Sequence, residues 1–385
     1  MQDSQTIEIA TLMLLLTNIA LCSSELGFLL GNKLKLPQQV KVHYEKNIFF
    51  IVTAISILFI GALIIKSHGS LVISGGSYGS EEEKSTMLVS NLNIIANILF
   101  YTLILMYFKF KDIYKIDKKK YLYSIFFLFF YLFIFAEFLR GVRMDALNGI
   151  FGSIILYLIY TNKKLKITPI IFIGGVVLFV VMQIMGMLRS ALNFLSFDEI
   201  LKVISRGFVQ IFEGSRSGVM FYQGTVNDIA TTFSGTIMML KENTIDYYYG
   251  SSYLDYILRT PPQFMYPNRP EDLAWIFVNN GFTSGGGYFE LAEAYLNFGL
   301  LGAFIVPFII SFVFSSSFKI FVLNKYSIFH SILLFSLLSG FMRGVLYQTF
   351  TFYKAIVTGF ILYFIFYILL GIINMRKVKL NGVQT

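Results

Sequence analysis

Apolar runs of roughly 20 residues recur along this chain, and polar residues fall between the runs instead of alternating with them. Runs fit to cross about 30 Å of hydrocarbon as helices occupy residues 7–31, 48–65, 87–108, 122–140, 146–161, 168–188, 291–318, 327–346 and 351–374. The pattern predicts an all-α polytopic membrane protein with about nine to eleven transmembrane helices. The fifth run is short, and the eighth and ninth are barely separated, so a broken or re-entrant element is expected among them. One long polar interval, 189–290, divides the N-terminal spans (1–188, about six) from the C-terminal spans (291–385, about three).

Composition removes the other classes. Hydrophobic residues make up 56% of the 385 positions and charged residues only 14%, against about 25% charged in a soluble domain. The net charge of +9 must first be sorted by membrane side, and no nucleic-acid partner is expected. A single cysteine, Cys22, permits neither a disulfide framework nor a thiolate metal site. The first residues, MQDSQTIEIA, carry acids where a secretory leader carries positive charge, so the first run is expected to be a retained span.

Lysines set the orientation. Lys33 to Lys46, Lys109 to Lys120, Lys163 to Lys166, Lys319 with Lys325, and Arg376 to Lys379 fall in alternate intervals, as cytoplasmic segments do. The N-terminus and the 189–290 loop are then external and the C-terminus internal. Arginines follow a different rule: of nine, only Arg376 is internal, while Arg140, Arg143, Arg189, Arg206, Arg216, Arg259, Arg269 and Arg343 lie outside or at external helix ends. Guanidinium groups grip phosphate oxygens in a fork, which suggests an anionic ligand shared by several of them. Taken singly, each arginine serves as well by anchoring a helix end to lipid head groups.

The loop opens with a capping box, Ser196 and Glu199, and an amphipathic pattern over 196–213 suited to the membrane interface. Residues 213–242 are moderately apolar and expected to be helical in part. Tyr247, Tyr248, Tyr249, Tyr253 and Tyr256 suit interface anchoring first and sugar faces second.

Chemistry concentrates from Arg259 to Leu300, RTPPQFMYPNRPEDLAWIFVNNGFTSGGGYFELAEAYLNFGL. Pro261 and Pro262 hold Arg259 in place, and Pro270 does the same for Arg269. Glu271 and Asp272 head EDLAWIF as acids at a helix start. Glu290 and Glu293 share a helical face with Asn297 one turn on, and carboxylates at a membrane edge are costly unless they face protein or water. Pro307 is expected to kink the helix that follows. Gly285, Gly286 and Gly287 lack the lysine and hydroxyl of a phosphate loop and read as a hinge. His43, His68 and His330 are scattered across both sides, so no histidine metal site or serine triad is expected. Any base is then a carboxylate, and neither metal nor cofactor is expected.

With RTPPQFMYPNRPEDLAW, GGGYFELAEAYLNFGLLG and EFLRGVRMDAL placed around a long external loop, the chain resembles the Wzy-type polymerases of O-antigen and capsule repeat units. The resemblance implies a bacterial inner-membrane glycosyltransferase with its active site facing the periplasm, and an architecture akin to the lipid-dependent (GT-C-like) glycosyltransferases. It further implies undecaprenyl-pyrophosphate-linked oligosaccharides as donor and acceptor, and a chain-length regulator as a partner. The residues suit that reaction. Arg140, Arg143, Arg189, Arg259, Arg269 and Arg343 could stabilise a leaving pyrophosphate without a metal. Glu293, then Asp272 and Glu290, are the candidate bases for an attacking sugar hydroxyl. A lipid-linked oligosaccharide flippase, an O-antigen ligase and a membrane acyltransferase are the rivals. The first would show repeats and midplane charges, and the other two would favour a histidine at the site.

Overall fold

The computed structural model describes residues 2–34, 225–259, 273–282, 288–324, 328–347 and 349–381, with isolated positions between 58 and 174 and at 266, 268, 270 and 271. These residues form helices and no strands: α1 (Gln2–Lys33), α2 (Thr225–Lys241), α3 (Ser251–Arg259), α4 (Ala274–Asn279), α5 (Glu290–Leu323), α6 (Ile328–Tyr347) and α7 (Thr349–Asn381). Further helical positions include 94, 95, 97–102, 104, 105, 152, 154, 156 and 158. Among the described residues, Ser4–Lys33 and Glu290–Leu323 are long and apolar enough to cross a membrane, and Ser331–Phe341 and Phe352–Ile365 are shorter apolar stretches. The amphipathic segment at 196–213, the glycine hinge at 285–287 and most of the second to sixth runs lie outside the described residues.

The α1–α5 pair is the spine. A side chain at Gly31 would stand 2.6 Å from the carbonyl oxygen of Phe312 and 2.9 Å from Cβ of Ser315, and one at Gly27 would collide with the carbonyl of Phe308. Gly27 and Gly31 are four apart, the small-xxx-small spacing that lets helix backbones touch in a bilayer. Ser315 Oγ donates to the Phe28 carbonyl (2.7 Å), and Lys319 Nζ to those of Asn32 (2.5 Å) and Leu34 (2.6 Å). A lysine thus satisfies the open carbonyls at the end of α1 and complements its dipole. Partner numbers rise together, so the two helices are parallel. Lys33 and Lys319, assigned to one side of the membrane by charge, meet at one end of the pair, and the Glu8–Lys241 ion pair (2.5 Å) marks the other.

α5 is two helices. Gly299, at φ 59° and ψ −140°, interrupts it, in a region essentially closed to residues with a Cβ. The chain turns back there so sharply that a side chain on Gly302 would strike the carbonyl of Ala294. Residues 290–298 therefore form a short helix folded against the rest of α5, and 300–323, about 36 Å long at 1.5 Å per residue, are long enough to cross about 30 Å of hydrocarbon. The sequence does not predict the interruption at Gly299: it breaks the seventh apolar run, which hydropathy reads as continuous, while helical dihedrals continue through Pro307, where a kink is expected. The physical reason is that the polar face of 290–298 must leave the lipid-facing axis. Most of the fifth run lies outside the described residues, and the eighth and ninth form the separate helices α6 and α7.

α6 and α7 pack as an antiparallel pair, Gly344 against Phe352 and Gly359 against Ser336. Their apolar core joins Leu337 and Phe352 to Ala294, Val306 and Ile310 of α5. α2 lies across the glutamate end, with Phe233 and Ile237 packed on Ile9 and Leu16 of α1 and Leu291 and Ala303 of α5. It ends in a Schellman turn: Thr244 N–H reaches the Met239 carbonyl (2.9 Å), and Asn243 takes φ 53°. α4 closes the same way, with Phe282 N–H on the Phe277 carbonyl (2.9 Å) and Gly281 at φ 74°. Glu271 stands outside α4, whose first turn carries no acid, so the expectation that it heads this helix is corrected. Its backbone carbonyl instead lies 3.5 Å from Arg259 Nη1.

Candidate functional site

α3 is amphipathic in an unusual sense, because its buried face is polar: Ser252, Tyr256 and Arg259, at i, i+4 and i+7, line up along one side. That side packs on Glu290, Glu293 and Asn297 of α5, which at i, i+3 and i+7 also share one face and are buried, Glu293 and Asn297 completely. Burying a carboxylate costs several kcal/mol unless hydrogen bonds replace its water, and here they do. Ser252 Oγ donates to Glu293 Oε1 at 2.6 Å, and the Tyr256 hydroxyl lies 2.6 Å from both carboxylate oxygens. Tyr256 in turn shares a hydrogen bond with the Tyr288 hydroxyl. Asn297 fixes the pair of helices: its Nδ2 donates to Ser252 Oγ (2.7 Å) and to the Glu293 carbonyl (2.9 Å), and its Oδ1 accepts from Gly250 N–H (2.9 Å). Tyr253 donates to Glu290 Oε1 at 3.2 Å.

α7 adds the third wall. The Tyr353 ring lies 5.5 Å from that of Tyr256 and 5.7 Å from that of Tyr253, and Phe350 is 5.4 Å from Tyr256. Two buried cations flank the Phe350 ring, with Arg259 Cζ 4.8 Å and Lys354 Nζ 5.6 Å from its centroid, within range of cation–π attraction. Sharing one ring, the two charges are within about 10 Å of each other, close enough to act on one anion. Burial, then the charge of Glu293 and the Tyr288 hydroxyl, push Tyr256 well above the usual phenol range. Burial followed by the charges of Glu290 and Glu293 does the same to Tyr253. Both remain neutral donors at working pH.

In front of this cluster is a cleft of about 350 Å³, lined on α3 by Ser252, Asp255, Tyr256 and Arg259, and opposite by Glu271, Trp275, Ile276 and Asn279. Glu293 is not on its wall. Ser252 and Tyr256 are, and both touch Glu293 from behind. Burial raises Asp255 while Arg259 holds it down. Among the described residues no group of three or more His, Cys, Asp and Glu side chains is placed to hold a metal.

Of the candidates read from the sequence, Glu290, Glu293 and Arg259 converge here. Arg343 belongs to α6, and Arg140, Arg143, Arg189, Arg269 and Asp272 lie outside the described residues. Sequence reasoning missed Lys354, whose signal was a lone lysine in the first turn of an apolar run, TFYKA. It also missed the Ser252–Tyr256–Arg259 face, legible only as a helical spacing within SSYLDYILR. The tyrosines divide: Tyr249 is exposed, whereas Tyr256, like Tyr288, is buried in the site, because its hydroxyl serves Glu293.

The described residues are helical, with two helices long and apolar enough to cross a membrane, and they carry a buried carboxylate and cation cluster at the Glu290 end of α5. The chain belongs to the O-antigen polysaccharide polymerase Wzy family, whose sequence model matches residues 2–377. No curated protein and no solved structure matches it. Membership makes it an integral inner-membrane polymerase that joins lipid-linked repeat units by glycosyl transfer. The flippase and ligase readings are not favoured.

Proposed function

We propose that glycosyl transfer takes place at the α3–α5 site, facing the periplasm, with undecaprenyl-pyrophosphate-linked repeat units as substrates. The observation that carries the reading is the double attachment of Glu293 to two hydroxyls, Ser252 and Tyr256, that also line the cleft. An acceptor sugar hydroxyl bound against them attacks the anomeric carbon of the growing chain. As the new C–O bond forms, the bond from that carbon to the pyrophosphate breaks, and the lipid pyrophosphate departs with the electron pair. The hydroxyl proton passes through Tyr256 or Ser252 to Glu293, so Glu293 is the base by relay. Arg259 and Lys354 oppose the charge that develops on the pyrophosphate, and Arg140, Arg143, Arg189, Arg269 and Arg343 remain candidates to join them. Glu290 holds Tyr253 in place, and Asp272 is kept as an alternative base.

Lys33 and Lys319 meet at the opposite end of the α1–α5 pair, which supports a cytoplasmic assignment for that end and a periplasmic one for the site. The test is the surface glycan of a deletion strain complemented with Glu293→Gln or Arg259→Gln, each checked for normal membrane levels. Single-repeat glycan is expected from both. Normal long chains from both would remove the site from this end of α5.

A further inference from the structure

The two walls of the cleft differ in kind. The α3 wall offers Ser252, Asp255 and Tyr256, while the α4 wall offers the ring of Trp275 with Ile276, and Asn279 one turn from Trp275. Trp275 is 55% exposed, although α4 buries Ala274 and Phe277 on its other side. That side is anchored: the Phe277 ring packs on Tyr288 at 5.6 Å, and Thr231 Oγ1 donates to the Phe282 carbonyl at 2.7 Å. The indole is therefore presented to the cleft by a fixed helix. A sugar ring has the matching asymmetry, with apolar C–H bonds on one face and hydroxyls around its edge. The cleft volume is at the small end of the range for ligand sites, sized for a short saccharide and not for a lipid chain.

We propose that the α3–α4 cleft is the saccharide subsite for the acceptor, with Trp275 stacked on a sugar ring and Asp255 and Asn279 bonding its hydroxyls. This rests on the reading of the α3–α5 site as the place of transfer. Such a ring would deliver its free hydroxyl to Ser252 and Tyr256, on the same cleft wall as Asp255. Trp275 acts by binding, so its loss raises the acceptor KM and leaves kcat nearly unchanged.

Trp275 is the sole tryptophan of the chain, so tryptophan emission from the full-length protein in nanodiscs reports this ring alone. The probe is the single-repeat oligosaccharide released from the lipid-linked pool of a strain lacking the polymerase. A saturable change in emission is expected, weakened in Asp255→Ala. Trp275→Ala should raise acceptor KM about tenfold, the scale of one aromatic stacking contact, with kcat within about twofold, and Trp275→Phe should recover most of the loss. Unchanged emission at oligosaccharide concentrations that inhibit turnover would overturn the proposal, as would a wild-type KM in Trp275→Ala. A wild-type preparation that polymerises while its emission stays fixed sinks this subsite alone. Normal polymer from both Glu293→Gln and Arg259→Gln sinks the underlying site.

Discussion

Replacing Tyr256 with phenylalanine removes one oxygen and leaves the ring among Phe350, Tyr353 and Tyr253, so packing is nearly conserved. The lost hydroxyl sits 2.6 Å from both oxygens of Glu293 and also bonds Tyr288. A hydrogen bond to a charged group contributes about 1.5–3 kcal/mol. Ser252 still donates to Glu293, so the loss in stability should stay at the low end of that range. The kinetic effect is expected to be larger. If Tyr256 carries the proton to Glu293, its removal forfeits much of the general-base contribution, about 10²–10⁴-fold. The assay is turnover of lipid-linked repeat units by purified protein in nanodiscs, scored as kcat, with thermal stability measured on the same sample. Ser252→Ala is the companion, with a smaller fall in kcat if Tyr256 is the main path and a larger one if Ser252 is. Both variants with kcat within a few fold of wild type, alongside reduced stability, would refute the relay and leave the two hydroxyls as structural ligands of a buried carboxylate.

Other expectations follow from the same geometry. Gly299→Ala forces a Cβ into a region costing about 1–3 kcal/mol; the short helix 290–298 should shift, polymerisation should fall, and heated samples should lose monodispersity earlier by size exclusion. Gly31→Leu cannot fit 2.6 Å from the Phe312 carbonyl, so membrane levels should drop sharply on immunoblots, whereas Gly31→Ala should drop less. Asp255 has a raised pKa because burial outweighs Arg259. As pH falls through it, the carboxyl gains a proton and stops accepting two hydroxyl bonds, so oligosaccharide affinity should weaken at a pH above the ordinary aspartate value of about 3.9. Arg259→Gln removes the opposing cation and should move this acid limb to higher pH; Asp255→Asn should flatten it. A limb unmoved in Arg259→Gln, followed by Trp275 emission, would count against the pairing.

Periodicity made these helices legible, since α1, α6, α7 and the two parts of α5 fall on apolar runs marked out by hydropathy alone. Charge grouped Lys33 and Lys319 on one side, and Lys319 reaches the end of α1 that carries Lys33. The fold-back at Gly299 was not, because FGLLG reads as an ordinary stretch of apolar helix, and only a backbone dihedral reveals why glycine stands there. Glu293 stood out as a costly carboxylate in an apolar helix, but its partners did not. Ser252 and Tyr256 gain meaning only when α3 is laid on α5, a contact 41 residues apart for Ser252 and Glu293. Lys354 was hidden by its own surroundings, a single charge absorbed into a hydrophobic average. The Gly27–Gly31 pair carried a recognisable spacing, yet which helix it met could come only from packing.

The most direct test of the account is single-turnover release of lipid pyrophosphate by Glu293→Gln, with donor and acceptor repeat units pre-bound to the purified protein in nanodiscs. The amide keeps the shape of the side chain and removes its basicity. Binding of both substrates within a few fold of wild type is expected, with the release rate reduced by about 10²-fold or more and no new glycosidic linkage. Release and linkage at the wild-type rate would contradict the assignment of Glu293 as the base.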